Sequence, residues 1–141
     1  MLRSIILTAA ITTFVFAAAA SDVVIKPGPT SPTSATSGQE MYRAYCSSCH
    51  GVDGKGNGPA APAMKRMPTD LTTLTAENHG KFPELHVYAT IQGDGNSPVH
   101  GSKDMPVWGG LFQGMSHGNT AEVQLRISNL VSYIKGLQTS K

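Results

Sequence analysis

The chain holds only two cysteines, Cys46 and Cys49, and both fall in the stretch YCSSCHG at residues 45–51. The residues after this stretch offer little to build a core from. Residues 51–68 read GVDGKGNGPAAPAMKRMP, a run of Gly, Pro and Ala that no regular element tolerates for long. Connections of this length are uncommon in a compact domain unless something organises them. The two cysteines and the histidine behind them are therefore the tightest constraint on how the chain folds.

Four chemistries fit two cysteines three residues apart. A Cys46–Cys49 disulfide closes a tiny loop and constrains the unfolded chain very little. A dithiol of the thioredoxin kind sits near a βαβ pattern, and none is visible. Zinc needs four ligands, and His79, His86, His100 and His117 do not show the spacing of a finger. C-x-x-C-H is, by contrast, the attachment signature of a c-type haem. Two thiols one helical turn apart can add to the two vinyl groups on one porphyrin edge, and His50 then reaches the iron from one face. A haem held in this way is a large apolar disc around which glycine-rich loops can fold.

The elements around the motif read as helices. Ser37-Gly38-Gln39-Glu40 has the form of a capping box, so a helix should run from Gly38 into the cysteines. A second is expected from Pro83 to Gln92, with Gly93 just past its end and Leu85, Tyr88 and Ile91 along one face. After another Gly-rich loop, Asn119 with Glu122 opens the last helix. There Val123, Ile127, Leu130, Val131, Ile134 and Leu137 keep the 3.6-residue period. No run alternates with period two, so the domain is expected to be mostly α with long loops.

The N-terminus reads MLRSIILTAAITTFVFAAAASD, with one cation at Arg3, an uncharged run from Ser4 to Ser21, and Ala18 and Ala20 placed for cleavage. Residues 1–20 are read as a secretory signal peptide, and as a membrane anchor if they are not cleaved. Residues 21–37, rich in Pro, Ser and Thr, are read as a flexible leader. The domain proper is expected over 38–141, a size whose small core gains much from a cofactor. Without Arg3, eleven Lys and Arg fall to ten against nine Asp and Glu, a formal charge of +1. No basic patch points to nucleic acid. The expected location is the periplasm or another exported compartment.

Function turns on the second axial position of the iron. A strong ligand there makes an electron carrier, and an open face makes a gas binder or a catalyst. Met105, in KDMPVWGG, is the leading candidate, because Pro106 holds it extended and lets a loop present the thioether. Met115 and His100 are its rivals. Met41 is expected in the core, and Met64 and Met67 flank Lys65 and Arg66 in the wrapping loop.

Taken together, GQEMYRAYCSSCHG, the GNGPA loop, DMPVWG and the closing NLVSYIKGLQ resemble a class I, single-haem cytochrome c of the bacterial periplasmic kind. The resemblance covers nearly all of residues 38–138. It implies a small helical domain wrapped around one covalent haem c on Cys46 and Cys49, with His50 as proximal and Met105 as distal ligand. It further implies that Gly38 and Tyr42 belong to a first helix crossing the last near Tyr133. The Pro59 carbonyl would accept the His50 Nδ1 hydrogen bond, and Trp108 would pack near the haem edge. The function so implied is a one-electron carrier and not an enzyme, engaging a redox donor and acceptor transiently. Two alternatives stand beside it. One is a cytochrome subunit through which electrons enter a larger dehydrogenase or membrane-bound oxidase complex. The other is an open-faced haem that binds a gas or turns over peroxide.

Overall fold

Ser37 opens the first helix as its N-cap, its Oγ accepting the Glu40 amide at 3.2 Å. The Glu40 carboxylate does not return to Ser37. It takes the amide of Ser34 at 3.3 Å, because a turn has already given the Ser37 N–H to the Ser34 carbonyl. The computed structural model in which these contacts are seen describes residues 32–93 and 105–139. The expected signal peptide, residues 21–31 of the expected leader, and His100 lie outside the described residues.

From Ser37 the chain is helical through to His50, in three pieces. Gly38–Met41 is α1, Tyr42–Cys46 is a π-helical segment, and Ser47–His50 is α2. The wrapping loop carries a 3-10 turn at Ala61–Ala63 and ends at the short α3, Leu74–Glu77. Beyond it come α4 (Glu84–Gln92), α5 (Trp108–Met115) and α6 (Thr120–Gly136). Among the described residues there is no strand, so the domain is mostly α as its periodicity implies.

α6 is the axis of the core. Its N-cap Asn119 accepts the amides of Ala121 and Glu122 at 3.1 and 3.3 Å. Ile127, Leu130, Val131 and Ile134 line its buried face and meet Met41 and Tyr42 from the first helix, Val87 and Ile91 from α4, and Phe112 from α5. α1 crosses α6 so closely that a Cβ on Gly38 would run into the Asn129 carbonyl. One turn on, the rings of Tyr42 and Tyr133 pack with centroids 5.1 Å apart.

Two sequence expectations need correction. The face α4 turns to α6 is Val87 with Ile91, one turn apart, with Tyr88 at its edge, so Leu85 lies on the other side and is 86% exposed. Residues 108–115 are not part of a glycine-rich loop but form α5. Gly109 sits so close to the Gln92 carbonyl that no side chain fits there, so this glycine serves helix packing rather than chain breaking.

Residues 33–35, assigned by composition to the leader, are held on the domain. Arg126 Nη1 donates to the Thr33 carbonyl at 2.8 Å, and Asn129 Nδ2 donates to the Ala35 carbonyl at 2.9 Å.

Candidate haem-attachment site

Cys46 ends the π segment, and Cys49 stands one turn further on in α2. In the π segment the Ser47 amide reaches back five residues to the Tyr42 carbonyl. The widened turn rotates the cysteines relative to the buried register of Met41 and Tyr42, and such insertions recur at functional sites. Both cysteines are free and half-buried. Burial, and next the neighbouring Cys49, push the Cys46 thiol up to about 12. A reactive dithiol needs the opposite shift.

The loop after His50 folds back as a cap on α2. The Gly56 amide bonds the His50 carbonyl at 2.8 Å, Gly58 bonds that of Cys49 at 3.0 Å, and Ala60 bonds that of Ser48 at 2.8 Å. These are carbonyls a helix end leaves unpaired. Gly56 has φ +76°, and a Cβ there would meet the Pro68 carbonyl, so glycine is required on both counts. Buried Tyr42 braces the same turn by donating its hydroxyl to the Gly51 carbonyl at 2.8 Å. Burial holds that phenol well above its ordinary range, which keeps the donating proton in place.

His50 Nδ1 meets the carbonyl of Thr69 at 3.0 Å. The resemblance put Pro59 in this role, and the structure differs. The amides on either side of exposed Pro59, from Gly58 and Ala60, are bound to the end of α2, whereas the Leu71 amide pairs with the Gly54 carbonyl at 2.7 Å and brings 69–71 alongside the histidine. Since a carbonyl only accepts, Nδ1 carries the proton and Nε2 of the neutral ring keeps its lone pair. Burial lowers the His50 pKa, against the raising effect of the Thr69 bond, so the ring stays neutral and able to bind a metal.

Thr69 carries no sequence signal of its own, but its surroundings do. Asp70 Oδ1 accepts the amide and hydroxyl of Thr72 at 2.8 and 2.7 Å, an Asx turn legible as D-x-T. Gln138, just past α6, donates to the Leu71 carbonyl at 2.6 Å and accepts the Thr75 amide at 2.8 Å. The histidine's partner is thus anchored to the end of the last helix.

Trp108 begins α5, half-buried, with its ring centroid 5.5 Å from that of Tyr45, the residue directly before Cys46. Phe112 completes this aromatic wall at 5.7 Å from Tyr45. Met105 lies in the irregular stretch ahead of α5 and packs, half-buried, on the core cluster. Met115 and Met41 have their sulfurs engaged, the first by the Tyr45 hydroxyl at 3.6 Å and the second by Arg126 Nη1 at 3.9 Å. Met67 is exposed.

Two half-buried free thiols a turn apart, a neutral imidazole with a free ring nitrogen behind them, and a neighbouring aromatic wall suit a covalent haem. A small helical domain with this donor set is a c-type cytochrome. The chain belongs to the family described as cytochrome c oxidase, cbb3-type, subunit III, which matches it over residues 33–117. It is an electron-transfer protein of the c type, and haem c, when bound, supplies one reversibly exchanged electron. No curated protein and no solved structure matches the chain.

Proposed function

We propose that this protein passes single electrons between protein partners on haem c joined to Cys46 and Cys49, with His50 and Met105 as axial ligands and no substrate chemistry of its own. What carries the distal assignment is the state of the methionine sulfurs. Those of Met41 and Met115 already accept from Arg126 and Tyr45, while Met105 stands in a loop beside the core. Soft sulfur opposite imidazole favours the ferrous state, which suits a carrier of relatively high potential.

The family's description favours work within a membrane-bound oxidase complex over free diffusion alone. Residues 1–20 would direct export, or, if retained, tether the domain near such a complex. Among the described residues no helix is long and apolar enough to cross a membrane. The mass of the exported protein separates cleaved from tethered forms.

The ligand assignment is tested by comparing Met105→Ala with Met115→Ala. Met105→Ala should still take up haem, lose the weak long-wavelength ferric band of an iron–thioether bond, and begin to bind carbon monoxide. Met115→Ala should keep the band. The reverse pattern overturns Met105 as ligand, and a wild-type protein that binds carbon monoxide promptly overturns the carrier itself.

A further inference from the structure

A line of hydrogen bonds runs from buried Arg126 to the residue beside the first haem cysteine. Arg126 Nη1 lies 3.4 Å from Thr33 Oγ1, which lies 2.8 Å from the Tyr45 hydroxyl, which in turn lies 3.6 Å from Met115 Sδ. Its direction is fixed by its ends. A guanidinium only donates and a thioether only accepts, so Thr33 donates to Tyr45 and Tyr45 donates to Met115. Thr33 is 9% exposed, and Arg126 is 4% exposed. The arm that carries Thr33 is fixed by three further bonds: its own carbonyl to Arg126, the Ala35 carbonyl to Asn129, and the Ser34 amide to Glu40. The Tyr45 ring packs against Trp108 and Phe112, the wall beside the attachment site.

We infer that Thr33 and Tyr45 are a positioning pair through which the arm at residues 33–35 fixes the aromatic wall at the haem site and so tunes its reduction potential. The inference rests on the attachment proposed above at Cys46 and Cys49. Neither residue is among the ligands proposed for the iron. Thr33 holds the Tyr45 hydroxyl, and Tyr45 holds the packing of Trp108. Hydrogen bonds in a partly buried chain headed by a charge also polarise one another, so loss of one link is felt at the next. A partner that displaced residues 33–35 would act on the haem through this pair.

The test compares haem-loaded wild type with Thr33→Val, Tyr45→Phe and the double variant. Two quantities are read, the midpoint potential and the amide exchange of residues 33–37, after the mass of each variant has established one attached haem. Each single change should speed exchange in the arm and move the ferric/ferrous equilibrium at least threefold, in the same direction. The double variant should move it no further than the larger single, as expected for coupled neighbours. Thr33→Ser, which keeps the hydroxyl, should restore both readouts. Faster exchange with an unchanged potential would overturn the inference, leaving the arm a structural contact only. Additive shifts would overturn the coupling. A wild-type chain with no attached haem would instead contradict the attachment proposal, a failure visible by mass before any variant is compared.

Discussion

The backbone of Gly38 passes against the carbonyl oxygen of Asn129 with no space for a side chain between them. This contact sets how near α1 can come to α6, and α1 continues directly into the attachment motif. Gly38→Ala should therefore push the first helix off the last. The expected loss is about 1–3 kcal/mol, the usual cost of overpacking a close contact. A lowered denaturation midpoint with unchanged slope would show it. Gly114→Ala is the control, since a Cβ there meets nothing within 4 Å.

Arg126 offers a second prediction. Its side chain is 5% exposed, pairs with Glu122 at 2.7 Å, and also donates to Ser116 and to the Thr33 carbonyl. Arg126→Ala removes the partner of several buried acceptors at once. A loss of roughly 2–4 kcal/mol is expected from leaving the buried Ser116 and Thr33 acceptors without their donor. Chemical denaturation of the haem-loaded protein measures it. Exposed Leu85, changed to Ala, should cost no more than about 0.5 kcal/mol.

Acid should weaken the same structure. The hydrogen bond from Arg126 holds the Glu122 carboxyl below its usual range, and bonds from Thr72 do the same for Asp70. For a carboxylate depressed in the folded state, the contributed stability is complete above the unfolded value and is lost as pH falls through the folded one. Thermal stability should then hold from neutral pH into the weakly acidic range and fall below about pH 4. Glu122→Gln should start lower at neutral pH and fall less steeply. An identical acid limb in wild type and variant would show that Glu122 plays no part.

Much of this was legible in the residues. Asn119 and the period from Val123 to Leu137 marked α6, and Pro83 with Gly93 bracketed α4, because caps and periodicity are local signals. α5 was hidden because WGGLFQGM carries three glycines, and only the Gln92 carbonyl packed against Gly109 explains the first of them. The His50 partner was hidden for another reason. Any residue supplies a carbonyl, so Thr69 was invisible until the chain beyond Pro68 was seen to return past Gly54. The role of Arg126 carried no local signal, since the Thr33 carbonyl it binds is far away in sequence.

Covalent attachment at Cys46 and Cys49 is tested most directly by acid and organic-solvent extraction of the exported protein, with the mass of the polypeptide then measured. The pigment should stay with the chain, adding the mass of one haem, and Cys46→Ala with Cys49→Ala should abolish the addition. Pigment that moves wholly into the solvent, leaving the unmodified mass behind, would contradict the central claim.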